Sequence, residues 1–133
     1  MKRLIIWGVA ILLIALFIVV IKIAHDYKNS KKLELTYEIN AGIPFKWEYE
    51  IEDKSIVEFK KSYVIRDDNK GGLVGGKVVT NYVFVGKKEG VTTVTFNFVR
   101  IDSLEKIIDH SETHTIKVDK NKNISLVVVK NNE

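Results

Sequence analysis

The sequence contains no cysteine and only one proline. Without cysteine, disulfide bonds, thiolate metal sites and cysteine nucleophiles are excluded. A single proline with eight glycines excludes a collagen-like or proline-rich chain. An apolar content of 46% excludes a chain that is disordered throughout. With 133 residues, the chain has room for one domain rather than two.

An excess of positive charge is also absent from most of the chain. The net charge of +4 arises in residues 1–32, which hold six Lys or Arg and one acidic residue. Residues 33–133 hold fifteen basic and sixteen acidic residues, a net charge of −1. Because a nucleic-acid partner would require a basic patch on the folded part, this distribution argues against one.

The longest uncharged run covers residues 4–21 and has basic residues on both sides. As a helix it would be roughly 27 Å long, close to the thickness of the hydrocarbon core of a membrane. It exceeds the apolar region of a secretory signal, and no small-x-small cleavage motif follows it. We therefore predict an uncleaved transmembrane segment over residues 1–24 in contact with membrane lipid, and a charged juxtamembrane linker over residues 25–32.

Apolar and polar residues alternate repeatedly in the remainder, as they do in half-buried strands. Strands are expected over residues 33–39, 45–51, 57–66, 78–85, 91–99, 113–118 and 124–129. We expect a hairpin turn at the GKKEG sequence of residues 86–90 and one helical turn around residues 104–108. Residues 33–133 are therefore predicted to form an all-β domain, an immunoglobulin-like β-sandwich of about seven strands, preceded by one N-terminal transmembrane helix.

Residues for enzyme chemistry are few. His110 and His114 are four apart and would share one face of a strand or a helix, but the domain has no further His or Cys to complete a metal site. The G-x-S-x-G motif of a nucleophilic serine is absent. The glycines of residues 71–76 precede a strand rather than a phosphate-binding helix. We predict no enzyme, metal or cofactor; a small hydrolase or metal protein built on the two histidines is the least favoured reading.

Three segments carry a pattern in a fixed order. Residues 40–47 read NAGIPFKW, with Asn, an aromatic residue and Trp at fixed spacing. Residues 73–76 read LVGG before a strand, and residues 88–100 follow K-x-G-x-T-x-V-x-F-x-F-x-R. These motifs resemble those of the chagasin-like inhibitors of papain-type cysteine peptidases, and the resemblance covers roughly residues 33–118.

The resemblance implies that three loops at one end of the sandwich enter the peptidase cleft without a nucleophile. It assigns peptidase binding to Asn40, Ala41, Gly42, Ile43, Pro44, Phe45, Leu73, Val74, Gly75, Gly76, Arg100, Ile101 and Asp102. Ile43 and Pro44 stand where the family has Thr and Gly. Asp102 replaces an aromatic anchor. The first loop and the anchor are therefore expected to differ from those of the family.

The predicted function is a membrane-tethered inhibitor of papain-type cysteine peptidases. It would be a single-pass protein of the cell membrane with its β domain extracytoplasmic, although basic residues at both ends of the apolar run leave the orientation open. The alternative is a membrane-anchored immunoglobulin-like binding module without inhibitory activity. Since the family usually has one more strand before the first loop, we also predict that the strand over residues 124–129 takes its place at a sheet edge.

Overall fold

A computed structural model of the chain describes residues 2–69 and 75–132, with the backbone alone described for residues 25–30. One helix precedes seven strands. They are α1 (Lys2–Ser30), β1 (Lys32–Asn40), β2 (Phe45–Ile51), β3 (Val57–Asp67), β4 (Lys77–Gly86), β5 (Gly90–Arg100), β6 (Ile107–Val118) and β7 (Ile124–Asn132). The chain divides into two compact units, one ending at Ser30 and the other beginning at Lys31.

Helix α1 contains the apolar run. Residues Lys2–Ala24 are long and apolar enough to cross a membrane, by length and composition. Each large apolar side chain from Leu4 to Ile23 is more than half exposed, so the helix is apolar on all sides, as a membrane span is. The backbone stays helical to Ser30, which includes most of the predicted linker over residues 25–32. The boundaries predicted for the anchor and the linker remain predictions.

The strands form two antiparallel sheets that pack face to face. One sheet has the order β1-β4-β3 and the other the order β2-β5-β6-β7. Alternate residues point between the sheets because side chains switch faces at every residue of a strand. The core consists of Leu35, Tyr37, Ile56, Val57, Phe84, Val94, Phe96, Ile116, Val118 and Ile124. The predicted immunoglobulin-like sandwich of seven strands after an N-terminal helix is confirmed.

Two local predictions are wrong. The turn between Gly86 and Gly90 does not close a hairpin, because β4 and β5 belong to different sheets and the chain crosses between them there. No helical turn forms around residues 104–108, because Ile107 and Ile108 already pair with Arg100 and Val99 on β5. Strand β6 thus begins six residues before the predicted start at residue 113.

Strand β7 pairs with β6 and forms an edge of the four-stranded sheet. The tight turn before it is organised by the carboxylate of Asp119, which accepts hydrogen bonds from the backbone N–H groups of Asn121 and Asn123 at 2.9 and 2.8 Å. The C-terminal strand is therefore paired at a sheet edge, as predicted. Its equivalence to an N-terminal strand of the family remains a prediction.

Candidate functional site: three loops at one end of the sandwich

The strand registers place three connections at the same end of the sandwich. In the smaller sheet, the end of β1 at Asn40 is opposite Lys77, and the end of β3 at Asp67 is opposite Val78. In the larger sheet, Arg100 at the end of β5 is opposite Phe45 and Ile107. The connections that leave these positions are called the first loop (residues 41–44), the second loop (residues 68–76) and the third loop (residues 101–106).

Backbone hydrogen bonds join the first loop to each of the others. The N–H of Ala41 donates to the carbonyl oxygen of Gly76 at 2.9 Å, and the N–H of Ile101 donates to that of Pro44 at 2.8 Å. The first loop therefore lies between the second and third loops and is bonded to both. Amide hydrogen bonds of this length are of normal strength, so the loop end behaves as a connected surface rather than three independent segments.

The first loop has one residue in the left-handed backbone region. Gly42 has φ of +84°, and no atom lies within 4 Å of the position that a Cβ would occupy. A residue with a side chain is disfavoured there by its own backbone rather than by neighbours. Ile43 is 37% exposed at the loop surface, and the ring of Pro44 restricts its backbone. Asn40, the last residue of β1, is exposed.

The second loop is organised by Asn69. Its side-chain oxygen accepts a hydrogen bond from the N–H of Gly76 at 3.0 Å. A Cβ on Gly76 would lie 2.8 Å from the Cβ of Asp68, which leaves no room for a side chain. Gly75 has φ of +85° and an open environment. The two predicted site residues Leu73 and Val74 lie outside the described residues.

The third loop begins with an ion pair between the last residue of β5 and the second residue of the loop. The guanidinium of Arg100 donates to both carboxylate oxygens of Asp102, with Nε–Oδ1 and Nη2–Oδ2 distances of 2.5 and 3.3 Å. This contact holds the pKa of Asp102 below its usual range and raises that of Arg100. The loop ends at Lys106, whose ammonium group lies 3.1 Å from the carboxylate of Glu48 on β2. Ile101, between the two residues of the first ion pair, is 55% exposed.

Four rings form a base beneath the first and third loops. The rings of Phe45 and Phe98 stack with centroids 4.8 Å apart and planes 6° from parallel. Trp47 and His110 contact Phe98 at centroid distances of 4.8 and 4.9 Å. We call these four residues the aromatic base. Phe45, predicted as a binding residue, is thus part of the support under the loops.

The two histidines do not combine into one site. His110 pairs with Asp109, with 2.7 Å between Nδ1 and Oδ2. His114 is buried, and its Nε2 lies 2.5 Å from the Tyr37 hydroxyl and 2.9 Å from Glu112. Burial lowers the pKa of His114, which favours the neutral ring. Among residues 2–24, 31–69 and 75–132, whose side chains the structure describes, no three His, Cys, Asp or Glu side chains are grouped so as to hold a metal ion.

A family model described as chagasin family peptidase inhibitor I42 matches residues 26–119. The chain belongs to the chagasin family. Its members inhibit cysteine peptidases and are not enzymes, which confirms the predicted family and the prediction that the chain is not an enzyme. The match includes all three loops of the candidate site.

A solved structure supports the chagasin-like fold independently. The cysteine protease inhibitor EhICP2 from Entamoeba histolytica superposes with a TM-score of 0.52 at 17% sequence identity, over 63% of this chain and 75% of that one. At this identity the likeness concerns the fold alone. A search of curated proteins found no match to the sequence.

Sequence reasoning missed Asn69 and the contacts that shape the second and third loops, although it named Gly76, Arg100 and Asp102 as site residues. The Asn69 contact with Gly76 and the Arg100–Asp102 pair each join residues whose types are common in any polar loop. Leu104, at the middle of the third loop, is fully exposed. Its exposure was hidden because the sequence indicated a helical turn, in which an apolar residue would face the core.

Proposed function

We propose that this chagasin-family chain inhibits papain-type cysteine peptidases by inserting its three loops into the active-site cleft. The observation that carries the proposal is the pair of hydrogen bonds from Ala41 to Gly76 and from Ile101 to Pro44. These bonds connect the three loops at one end of the sandwich. A connected loop end can fill a cleft as one body, as inhibition by obstruction requires.

The scaffold lowers the conformational cost of such binding. Ordering free loops on a partner opposes association, and a rigid scaffold reduces that cost in advance. Here the first loop is bonded on both sides, and the aromatic base lies beneath it. Residues 40–44, Gly75, Gly76 and Ile101 supply the surface, while Phe45, Arg100 and Asp102 support it. The peptidase needs no covalent bond to be blocked.

The proposed function includes a membrane tether. Residues Lys2–Ala24 would anchor the chain as a single membrane pass with the β domain outside the cytoplasm. Support comes from the length of the helix and from its large apolar side chains, which are exposed on all sides. A cleaved signal sequence would satisfy the same criteria, so the mature N-terminus distinguishes the two. Recovery of the intact chain from washed membranes, with its N-terminal peptide detected by mass spectrometry, is the expected result.

Inhibition is tested with the full chain in phospholipid nanodiscs. Residual activity of several papain-type cysteine peptidases is titrated with the wild type and with Ile43→Glu in the first loop. Because the substitution places a charge on the surface that would enter the cleft, we expect reversible inhibition by the wild type and a large loss in the variant. Lys120→Glu, in the exposed turn at the opposite end, is the control and should inhibit as the wild type does.

Two results would contradict the proposal. A folded wild type that inhibits none of the peptidases at micromolar concentration would favour the alternative, a tethered binding module without inhibitory activity. Equal inhibition by the wild type and Ile43→Glu would mean that another surface blocks the enzyme.

A further inference from the structure

The third loop carries an apolar side chain that the domain does not use. Leu104 lies at the middle of residues 101–106 and is fully exposed. On either side of it, Ile101 and Ile107 are 55% and 45% exposed. A single exposed leucine is ordinary on a protein surface, but three exposed aliphatic residues within seven positions of one loop region indicate a contact surface.

The loop is held at both ends while Leu104 stays outside the core. At its start, Arg100 donates two hydrogen bonds to the carboxylate of Asp102, and the N–H of Ile101 donates to the carbonyl oxygen of Pro44. Near its end, the N–H of Glu105 donates to the hydroxyl of Ser103 at 3.3 Å, and Lys106 pairs with Glu48. The backbone on both sides of Leu104 is thus restrained, which reduces the ordering cost if this side chain enters a pocket.

The Arg100–Asp102 contact also changes what Arg100 can do. Both of its donors toward Asp102 are engaged in a bidentate pair, the geometry in which guanidinium and carboxylate bind most strongly. The Nε–Nη2 edge of the guanidinium would have to release Asp102 before that edge could bind a carboxylate or a carbonyl of a partner, so only the remaining N–H groups of Arg100 can make such a bond while the pair is intact. Its position at the start of the third loop suits it to fixing the loop.

We propose that Leu104 is the anchor of the third loop and enters an apolar subsite of the peptidase, while Arg100 and Asp102 position the loop. The inference rests on the proposed function and specifies its third loop. We identify the partner of Leu104 as the peptidase because the Ile101–Pro44 bond joins the third loop to the other two loops. All three lie at the end of the sandwich opposite Lys32, where the chain enters the domain. An aliphatic anchor two residues further along the loop would take over the role of the aromatic anchor that Asp102 replaces.

The test compares the full chain with Leu104→Ala and Leu104→Asp in nanodiscs against a soluble papain-type peptidase. Burial of a leucine at the centre of an interface predicts that Leu104→Ala raises the inhibition constant by about tenfold or more, and that Leu104→Asp raises it further. Val91→Ala is the matched control, because Val91 is an exposed aliphatic residue at the start of β5, at the opposite end of the sandwich. It should leave the constant unchanged.

The positioning role of Arg100 has its own signature. If the pair acts as a unit, then Arg100→Ala, Asp102→Ala and the double variant weaken inhibition to a similar degree, since each removes the same restraint. Leu104→Phe should reorder the inhibition constants across peptidases that differ in subsite volume, which a loss of loop structure alone would not do. Near-ultraviolet circular dichroism verifies that every variant is folded.

Three outcomes overturn the inference in distinguishable ways. Absence of inhibition by the wild type removes the proposed function together with the anchor. Inhibition that Leu104→Ala and Leu104→Asp leave unchanged removes the anchor alone, and it would point to another use of the exposed leucine, such as contact with a membrane. Tighter inhibition by Asp102→Ala with complete loss in Arg100→Ala would show that Arg100 contacts the peptidase directly.

Discussion

The hydroxyl of Tyr37 on β1 donates a hydrogen bond to the carboxylate of Glu112 on β6 at 2.9 Å. Since β1 and β6 belong to opposite sheets, this bond crosses the interior of the sandwich. His114 completes the cluster, and its neutral ring with the proton on Nε2 can donate to both partners. Burial is the largest cause of the raised pKa of Tyr37, and Glu112 adds to it, so the hydroxyl keeps its proton.

Removal of the Tyr37 hydroxyl should destabilise the domain. In Tyr37→Phe, Glu112 loses a donor and His114 loses a neighbour inside the protein, which predicts a loss of about 1–3 kcal/mol of unfolding free energy. Urea unfolding of the full chain in detergent micelles, followed by near-ultraviolet circular dichroism, measures it. Thr93→Val is the control: the Thr93 hydroxyl donates to the carboxylate of Glu52 at 2.8 Å at an exposed position, so water can replace this bond and a smaller loss is expected. Equal losses of unfolding free energy in the two variants would mean that the bond between the sheets stabilises the domain no more than an exposed bond does.

Stability should fall on mild acidification because of His114. Its folded-state pKa lies below the unfolded value of about 6.5, so the unfolded state binds the extra proton first. The unfolding free energy is then constant above about pH 7.5 and decreases as the pH falls through 6.5, with a slope of at most about 1.4 kcal/mol per pH unit. Urea unfolding from pH 7.5 to 5.5 measures this slope.

His114→Phe should flatten this pH dependence while also lowering the overall stability. The carboxylates whose pKa is lowered, such as Asp53 and Asp119, do not confound the measurement, because they titrate below their usual range and outside this window. An unchanged slope in the variant would assign the pH dependence to another group.

Gly76→Ala should disturb the second loop. Its Cβ would lie 2.8 Å from the Cβ and 3.1 Å from the backbone carbon of Asp68, so the loop backbone must shift. We expect a loss of about 1–3 kcal/mol, the range for overpacking, together with weaker inhibition. Gly42→Asn is the matched control for stability alone, because that site is open and asparagine tolerates a positive φ. A Gly76→Ala variant as stable as Gly42→Asn, with inhibition close to wild type, would contradict the account of Gly76.

Variants of Phe45 and Ile43 should distinguish a residue that supports the loops from a residue that contacts the peptidase. Phe45→Ala removes a ring from the aromatic base and is expected to lower the unfolding free energy by about 2 kcal/mol, with reduced inhibition as a consequence. Ile43→Ala, at an exposed position, should weaken inhibition with little change in stability. Both quantities are measured on the same preparations. A stability loss in Ile43→Ala as large as that in Phe45→Ala would argue against this division of roles.

The strands were predictable where alternation was regular, and they were missed where a bulge interrupts it. Residues 45–51 alternate cleanly and residues 91–99 are rich in β-branched and aromatic residues, and the predicted strands agree with β2 and β5 within one residue at each end. Around Asp109, β6 has a register shift, so Phe98 is opposite His110 while Val99 is opposite Ile108. The bulged residue breaks the period of two, and the start of β6 therefore resembled a polar connection.

The family was predictable from the order of its motifs, whereas the contacts that shape the loops were not. Asn40, Phe45, Trp47 and the glycines before β4 have a fixed spacing that a sequence shows directly. The pairing of Arg100 with Asp102 depends on how the chain bends after β5, and common residue types at short spacing do not reveal it. The sequence also showed that turn residues lie between β4 and β5, but turn residues do not say which sheet the next strand joins.

The central position of the first loop bears on how specificity in this family could be redesigned. Ala41 and Pro44 are bonded to the second and third loops through backbone atoms, which at position 41 any residue except proline supplies. Apart from Gly42, side chains of the first loop can therefore be exchanged without loss of these bonds, while a change in the length of the loop would break both connections at once. Moving all three loops together from a relative would therefore transfer its target preference, whereas moving one loop alone would not.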